Sequence, residues 1–569
     1  MKIFYAGLFV LALAACKTAK VGKTTITPFT YAVQKNITAE KGAVVSAHPL
    51  ASQAGLQVLQ QGGNAVDAAI ATQLALAVVY PGAGNIGGGG FLVAHLKDGS
   101  NITLDYREKS PAAGHRDMYL DADGKANTDK SQNGHLAAGV PGTVAGLFAS
   151  MPYAKLKFDK LIDPAIELAK KGFVITEREA RSLNGLQDDL KKYNSQTNAL
   201  MKAVAWKAGD TLIQTDLANT LQRIKDNGAA GFYQGETARL IVEEMQRGKG
   251  IISYDDLKNY TAQPRAPHTF NYKEYNIIGM PMPSSGGLLL HQMMKMIEPY
   301  QIGKMGFHSA EAVQLMIEAE RRAYADRAEY MGDKDFYPVP VNSLTKNEYL
   351  LERMQTFTPG KASVSTNIKP GKVTVPEHEE TTHLSVIDNE GNAVAVTTTL
   401  NGGYGSRTVV GGAGFLLNNE MDDFSIKPGV PNMYGAVGGE ANAIKAGKRM
   451  LSSMTPTIVL QNGKPYLVVG TPGGTTIPTS VFQTLVNILD FNLSTIDAVN
   501  KPKFHHQWLP DRVDIENDFS SPTAIALEMM GYKLNKRGAI GRTEVIKVLP
   551  NGKFEAVADK RGDDDARGW

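Results

Sequence analysis

Two threonines, Thr381 and Thr399, have the spacing that most suggests chemistry in this sequence. Each lies at the outer end of an apolar run, and the two runs are joined by three residues that end in Gly391. Such a connection is typical of a β-hairpin with the glycine in a left-handed conformation. With the register set at this turn, Val386 faces Val394 and Thr381 faces Thr399. Two hydroxyls would then meet across the ladder, with their Cβ atoms about 4.5–5.5 Å apart.

This pair of hydroxyls allows two interpretations. A Thr–Thr pair on a half-solvated sheet is common and requires no function. Alternatively, one hydroxyl could act as a nucleophile, and residues 361–380 favour this interpretation. They are rich in Lys, Thr, Ser, Pro and Glu, which predicts a flexible, exposed arm. A chain that cuts itself would need such an arm in front of a threonine that begins a strand.

Capped helices and glycine-rich turns must position these threonines. Ser52 is predicted to cap a helix that runs to Gln61, and Asn64 a buried, apolar helix that runs to Tyr80. The glycines at 87–90 precede a strand, whereas a dinucleotide-binding turn follows a strand and opens a helix. We therefore exclude a nucleotide site there.

The middle of the chain is expected to be mostly helical from 159 to 277, with Thr215 as a capping residue. Ser309 is predicted to cap a long amphipathic helix. We expect a solvated face on this helix to carry Arg321, Arg322, Arg327 and Glu329.

Strands followed by helices recur in both halves of the sequence. Residues 102–108 predict a strand with Arg107 near its end, and Asn462-Gly463 predicts a hairpin turn that precedes a helix over 477–489. This order indicates a layered sandwich with helices outside.

Composition limits the class of protein. The chain has 569 residues, with 43% hydrophobic and 21% charged residues, and is therefore expected to be globular. The net charge of +3 and the lack of a long basic block argue against nucleic acid as a partner.

The N-terminus predicts export. Lys2 precedes an apolar run that is too short to span a bilayer and that ends in Leu13-Ala14-Ala15-Cys16. This ending resembles a bacterial lipobox, which predicts a signal peptide over 1–15, lipidation of Cys16 and a polar tether over 16–40. A simple secretory signal is the alternative. Cys16 is the only cysteine, so no disulfide is expected.

Nine sequence motifs, in order from about Lys41 to the C-terminus, resemble the γ-glutamyltranspeptidase family. They are Gly62-Gly63-Asn64-Ala65-Val66-Asp67-Ala68-Ala69, Gly87-Gly88-Gly89-Gly90, Leu104-Asp105-Tyr106-Arg107-Glu108, Gly139-Val140-Pro141-Gly142-Thr143, Pro283-Ser284-Ser285-Gly286-Gly287, Thr381-Thr382-His383, Asn418-Asn419-Glu420-Met421-Asp422-Asp423, Leu451-Ser452-Ser453-Met454 and Pro472-Gly473-Gly474. One such motif would be weak evidence, but nine in order make the resemblance specific.

The resemblance implies an α+β fold, the four-layer αββα sandwich of N-terminal-nucleophile hydrolases, formed jointly by two autoproteolytic subunits. The precursor would cut itself between Glu380 and Thr381. A large subunit over 41–380 and a small subunit over 381–569 would stay associated without a covalent link. The new α-amine of Thr381 has an ordinary pKa of about 7.7–8.0, so it can accept the proton of the hydroxyl on the same residue.

The resemblance also implies the site residues. Thr399 would support the nucleophile, and Gly473 and Gly474 would form the oxyanion hole. Arg107, Ser452 and Ser453 would bind the α-carboxylate of the γ-glutamyl group, and Asn401, Glu420 and Asp423 its α-ammonium. No metal or organic cofactor is implied.

Each of these residues also has an ordinary structural explanation. Arg107 alone would be a surface ion pair, and the paired glycines a simple turn. His383 is expected to pack or to form local hydrogen bonds and is left out of the mechanism.

Some positions depart from the family pattern. Glu420 stands where many bacterial members have Gln, and Thr475-Thr476 replaces the more frequent Ser-Arg. The loop over 429–449, with Tyr434, resembles a lid over the glutamyl pocket and is expected to limit the access of water.

We therefore expect an exported, periplasmic γ-glutamyltransferase and glutathione hydrolase, held at a membrane only by its lipid anchor. Its partners would be glutathione, related γ-glutamyl compounds, and amino acid or dipeptide acceptors. A β-lactam side-chain acylase, a poly-γ-glutamate-processing enzyme and a non-catalytic binding lipoprotein are the alternatives.

Overall fold

The computed structural model describes residues 24–369, 381–427, 429–430, 432–433 and 438–569. Cys16, Glu380, Tyr434 and the segment 370–380 lie outside these residues. The lipobox, the residue before the cleavage point, the lid tyrosine and most of the predicted arm therefore stay predictions. Within the described ranges, none of the helices combines the length and the apolar character needed to cross a membrane.

Two seven-stranded antiparallel sheets form the centre of the fold. From edge to edge, the first sheet contains Asp565–Gly568, Gly42–Ser46, Thr382–Asp388, Ala393–Thr399, Gly89–His95, Asn101–Asp105 and Gln263–Arg265. The second sheet contains Asn36–Ala39, Phe554–Val557, Glu544–Val548, Lys464–Gly470, Thr457–Gln461, Tyr275–Gly279 and His268–Tyr272. The predicted hairpin at Asn462-Gly463 is confirmed in the second sheet. A three-stranded sheet (Phe504–His505, Val513–Glu516, Leu534–Arg537) and a two-stranded sheet (Phe173–Val174, Thr211–Leu212) lie outside them.

Successive side chains of a strand point to opposite faces of the sheet, so each strand contributes to two different cores. In the central strand Thr382–Asp388, Leu384 and Val386 belong to a core shared with the helices outside the first sheet. Ile387 belongs to a second core, shared with strand residues of the other sheet such as Ile458. A third core packs further helices on the outer face of the second sheet. The predicted four-layer αββα sandwich is confirmed.

The α-helices account for the two outer layers and the connections between them. They are Pro49–Gln60, Ala65–Val79, Thr128–Gln132, Thr143–Ser150, Phe158–Lys171, Glu177–Tyr193, Thr215–Asn227, Ala230–Tyr233, Gly235–Gly248, Tyr254–Lys258, Gly286–Ile297, Ala310–Tyr330, Val341–Leu344, Asn347–Met354, Thr476–Leu489, Thr495–Asn500 and Ser521–Met529.

Of the four predicted helix caps, two are confirmed and two are wrong. Asn64 and Asp67 form a capping box, and Ser309 caps its helix. The helix predicted from Ser52 begins at Pro49 instead, with His48 as its cap, because proline is favoured in the first helical turn. Thr215 is the first helical residue and does not cap the helix.

The expectation of a solvated arginine face on helix Ala310–Tyr330 is also wrong. Arg321 and Arg322 are fully buried and Arg327 is nearly so, whereas Glu329 is exposed as expected. Partners from segments distant in the chain surround these guanidinium groups: Arg321 pairs with Asp511, Arg322 donates to the Arg353 carbonyl, and Arg327 donates to Ser285 and Ser453. Burial of the charges is possible because each is paired or hydrogen-bonded.

Candidate active site

The central hairpin has the predicted register. Val386 faces Val394, and Gly391 in the turn has φ 93°. The ladder begins with Thr382 opposite Thr398, so the same register puts Thr381 beside Thr399 at the end of the sheet. Both threonines are buried, with exposed fractions of 5% and 3%.

Thr381 borders two cavities of very different size. The small polar cavity has a volume of about 20 Å³, and the large cavity has a volume of about 370 Å³. The small cavity brings together nine of the predicted site residues: Arg107, Thr381, Thr399, Asn401, Glu420, Asp423, Ser452, Ser453 and Gly474. Gly473, the first residue of the glycine pair, lines the large cavity.

Arg107 follows strand Asn101–Asp105 and is the charged centre of the small cavity. Its Nη1 donates to Glu420 at 2.6 Å and its Nη2 to Asp423, and Nη2 also donates to the Leu451 carbonyl at 3.2 Å. The side chain of Arg107 is 1% exposed. Burial raises the pKa of Glu420 well above its usual range, and the attraction of Arg107 opposes that shift. The pKa of Asp423 is raised for the same reason.

Glu108 is a third buried carboxyl group beside Arg107. Its Oε2 lies 3.5 Å from Nη1 of Arg107, and no hydrogen-bond partner reaches its Oε1 within the described residues. Burial raises the pKa of Glu108 from 4.5 to about 8. A carboxyl group in this position carries a proton near neutral pH.

The substitution Glu108→Gln is therefore expected to flatten the pH dependence of stability. A raised folded-state pKa favours folding fully below the unfolded pKa of about 4.3, and this contribution is lost as the pH rises to about 8. Between pH 5 and 8, urea unfolding should show the wild type losing more stability than the variant. The exposed substitution Glu329→Gln should follow the wild type, and a parallel decline in Glu108→Gln would contradict this assignment.

Thr399 has the hydrogen-bonding pattern needed to support a neighbouring hydroxyl. Its Oγ1 accepts the backbone N–H of Asn401 at 2.7 Å, so its own hydrogen is available to a further acceptor. Asn401 has φ 73°, a left-handed conformation that asparagine tolerates better than most residues. Its side-chain amide donates to the Asn419 carbonyl at 3.0 Å.

Ser452 and Ser453 lie on a turn that is hydrogen-bonded to the turn of residues 283–285. The Ser452 backbone N–H donates to the Pro283 carbonyl at 2.9 Å, and the Ser285 N–H donates back to the Ser452 carbonyl at 2.7 Å. The Ser453 hydroxyl accepts from Arg327 at 3.0 Å. A second guanidinium group therefore reaches the small cavity, and the sequence prediction missed it.

The paired glycines occupy conformations that other residues adopt only with strain. Gly473 has φ 133° and Gly474 has φ 43°, and helix Thr476–Leu489 begins directly after them. The partial positive charge at the start of this helix favours an oxyanion near the glycine N–H groups.

One described residue of the predicted lid, Asn432, lines the small cavity. Asn432 donates to Asp423 at 3.2 Å, and the thioether of Met433 lies 3.7 Å from the amide nitrogen of Asn401. Asn432 therefore lines the small cavity beside Asp423, and Met433 lies next to Asn401.

His383 is a structural residue, as expected. It is fully buried, with Nδ1 2.9 Å from Thr397 Oγ1 and Nε2 3.1 Å from Ser385 Oγ. Burial lowers its pKa to about 3, so it stays neutral near physiological pH.

Comparisons with known proteins place the chain among enzymes of one family. The family model described as gamma-glutamyltranspeptidase matches residues 51–569. The chain is 45% identical over 552 residues to the glutathione hydrolase proenzyme of Escherichia coli strain K12. The aligned region covers 95% of this chain and 94% of that protein.

Two solved structures extend the comparison. The cephalosporin acylase of Bacillus halodurans superimposes with a TM-score of 0.83 at 26% identity, covering 96% of this chain and 99% of that one. The gamma-glutamyltranspeptidase of Helicobacter pylori has a TM-score of 0.56 at 43% identity, covering 60% of this chain and 97% of that one.

Proposed function

The chain belongs to the γ-glutamyltranspeptidase family, and from this premise we propose that it is a γ-glutamyltransferase and glutathione hydrolase. It transfers the γ-glutamyl group of glutathione and related amides to Thr381, and then to water or to an amino acid or dipeptide. The observation that carries the proposal is the small cavity, which joins the Thr381–Thr399 pair to two arginines, Arg107 and Arg327, and two carboxyl groups.

The cavity has the charges needed for a zwitterion. Arg107 pairs with Glu420 and Asp423. The α-carboxylate of a γ-glutamyl group can take the place of these acids at Arg107, while its α-ammonium pairs with the acids themselves. Every buried charge then keeps a partner, which limits the free-energy cost of desolvation.

Binding must also open the small cavity. A volume of about 20 Å³ is enough for roughly one water molecule, not for a glutamyl group. Separation of Arg107 from its acids and displacement of Asn432 and Met433 would supply the room. This agrees with a lid function for the loop over 429–449.

Self-cleavage produces the base that the nucleophile needs. The Thr381 hydroxyl attacks the Glu380 carbonyl carbon, the peptide C–N bond breaks, and water hydrolyses the resulting ester. The freed α-amine then takes the hydroxyl proton when Thr381 attacks the γ-glutamyl carbonyl. Thr399 holds the reacting hydroxyl, and the N–H groups of Gly473 and Gly474 stabilise the oxyanion.

The size of a solved relative supports two subunits. About 60% of this chain covers 97% of the H. pylori chain, and 60% of 569 residues is about the length of segment 41–380. We assign that segment to the large subunit and residues 381–569 to the small one. Export and anchoring through Cys16 belong to the same proposal and rest on the sequence alone.

One chromogenic assay tests the function. We expect release of p-nitroaniline from its γ-glutamyl derivative, and faster release with a dipeptide acceptor. Glutaryl p-nitroanilide lacks only the α-ammonium group, so it leaves Glu420 and Asp423 without their partner. We expect at least about 10²-fold lower kcat/KM for this analogue. A preference for the glutaryl compound would instead support an acylase, which the similarity to the cephalosporin acylase makes the second candidate.

A further inference from the structure

Arg327 brings a second guanidinium group to the small cavity. It lies in the last turn of helix Ala310–Tyr330 and is 8% exposed. Its Nε donates to Ser285 Oγ at 3.1 Å and its Nη2 to Ser453 Oγ at 3.0 Å. Arg107 pairs with two carboxyl groups. Arg327 instead bonds to two neutral hydroxyls, and no carboxyl group of the described residues forms an ion pair with it.

A buried guanidinium group without a carboxylate partner is costly in free energy, so its position at a cavity favours an anionic ligand there. Its charge does reach the acidic groups of the cavity. Burial raises the pKa of Asp423, and the attractions of Arg107 and of Arg327 oppose that shift. The charge of Arg327 therefore acts on the cavity, while its hydrogen bonds hold the serines.

The Ser453 hydroxyl is the link between Arg327 and a ligand in the cavity. Ser453 lines the small cavity, and its Oγ accepts a hydrogen bond from Arg327. A serine hydroxyl has one hydrogen to donate and two lone pairs that accept, so the hydrogen of Ser453 is directed to another acceptor. A positively charged donor also polarises the hydroxyl and strengthens the bond that it donates. The acceptor expected there is the α-carboxylate of the γ-glutamyl group.

Arg327 also braces the turn that carries Ser453. The Ser285 hydroxyl, which accepts from Arg327, donates in turn to the Ser452 carbonyl at 2.8 Å. The Ser285 N–H donates to the same carbonyl at 2.7 Å. The sequence motif over 283–287 therefore holds the backbone of the serine pair, and Arg327 connects that motif to the Ser453 side chain.

The helix that carries Arg327 also contacts the oxyanion loop. Tyr324, three residues earlier, donates its hydroxyl to the carbonyl of Thr475, which follows Gly474 directly. Residues three positions apart lie on the same face of a helix. One helix face therefore positions the Ser453 hydroxyl and the loop of the paired glycines relative to each other.

We propose that Arg327 is a positioning residue for substrate binding: it orients the Ser453 hydroxyl so that this hydroxyl donates to the α-carboxylate of the γ-glutamyl group. Arg327 acts through Ser453, because its Nε and Nη2 are bonded to serine hydroxyls. Arg107 remains the guanidinium group that contacts the carboxylate directly. This inference rests on the proposed function, because it requires a γ-glutamyl substrate in the small cavity.

Three anilides separate the two charged groups of the substrate. γ-Glutamyl p-nitroanilide has the α-carboxylate and the α-ammonium, glutaryl p-nitroanilide has only the carboxylate, and γ-aminobutyryl p-nitroanilide has only the ammonium. In Arg327→Gln we expect KM to rise about 10- to 100-fold for the two anilides with a carboxylate, the range of a hydrogen bond to a charged group. KM for the γ-aminobutyryl anilide should stay within about twofold of the wild-type value. If its hydrolysis is too slow for a rate, its inhibition constant against the γ-glutamyl anilide replaces KM.

Matched variants test the route through Ser453. Ser453→Ala should show the same pattern over the three anilides, and the double variant with Arg327→Gln should exceed the larger single loss by no more than about twofold. Arg327→Lys keeps the positive charge but not the planar fork, so an intermediate rise is expected. Arg322→Lys changes a buried arginine of the same helix that lines neither cavity. It should leave all three KM values within about twofold of wild type.

The pattern over the anilides decides between the possible roles of Arg327. Equal rises in KM for all three in Arg327→Gln would mean a purely structural role and overturn this inference. A rise for the γ-glutamyl and γ-aminobutyryl anilides alone would place its action at Asp423 and the α-ammonium, and would overturn the inference too. Independent, multiplying losses in the double variant would show that Arg327 does not act through Ser453. If Arg327→Gln does not fold, the same comparisons in Arg327→Lys decide. Absence of p-nitroaniline release from the wild type would overturn the proposed function itself.

Discussion

Thr381→Ala is expected to give one uncut chain that releases no γ-glutamyl group. The variant lacks the hydroxyl that we propose attacks the Glu380 carbonyl, so the α-amine that would serve as the base never forms. The substitution therefore removes nucleophile and base together. Loss of a nucleophile of this kind lowers kcat by about 10⁶-fold in a well-studied hydrolase. Mass spectrometry of the purified protein and the anilide assay measure the two effects separately.

Thr381→Ser is the matched control for this experiment. It keeps the hydroxyl and, after cleavage, the amine, so cleaved and active protein is expected, with altered rates. The side chain of Thr381 is buried, and the smaller alanine side chain fits in the same space. A circular dichroism spectrum and a thermal melt should therefore show that the alanine variant folds. Cleavage before residue 381 in Thr381→Ala would remove Thr381 from the self-cleavage mechanism.

The geometry around Thr381 was predictable where local rules decide it. The turn at Gly391 sets the hairpin register, and a period of two then fixes every facing pair up to Thr399. Asn64 and Ser309 were recognisable as caps because their side chains bond to the backbone of the next turn. A layered sandwich with helices outside followed from the order of strands and helices, whereas its four-layer form was implied by the family resemblance.

Features that depend on distant segments were not predictable in this way. The spacing of Arg321, Arg322 and Arg327 fits an exposed helix face, yet residues of the segments 353–365 and 452–511 bury it. The sequence did contain an indication that these arginines are paired. Glu318, Glu320 and Asp326 lie on the same helix, and their charges would balance those of the three arginines. Only the fold shows that Arg327 turns toward the small cavity.

The residues of the active site were predicted mainly from the family resemblance. From the residues alone, the Thr381–Thr399 pair was open to an ordinary structural explanation, and Arg107 pointed to a surface ion pair. The structure instead buries Arg107 against Glu420 and Asp423, which lie more than 300 positions further along the chain. No periodicity or spacing rule connects residues so far apart. The large cavity was not predicted at all, for the same reason.

Arg107→Gln is expected to impair both substrate binding and folding. The substitution removes the guanidinium group that pairs with Glu420 and Asp423, and it leaves Glu108 beside them. Loss of one partner from a buried ion pair destabilises a protein by about 3–5 kcal/mol. The same change would remove the bidentate contact that we propose for the α-carboxylate, so kcat/KM for the γ-glutamyl anilide should fall by at least about 10²-fold. Arg107→Lys keeps the charge but not the planar fork, and an intermediate loss is expected.

The pH dependence of stability separates this mechanism from a simple packing defect. Burial already raises the pKa values of Glu420 and Asp423, and removal of Arg107 raises them further because its attraction opposed that shift. A group with a raised folded-state pKa favours folding at low pH, and that contribution is lost as the pH rises toward the folded value. The stability deficit of Arg107→Gln should therefore be smallest near pH 5 and larger near pH 8, as measured by urea unfolding. Arg116→Gln, which removes a more exposed pair with Glu440, should show little deficit at either pH. A deficit in Arg107→Gln that does not change with pH would mean that lost packing, and not three buried carboxyl groups without their cation, causes the destabilisation.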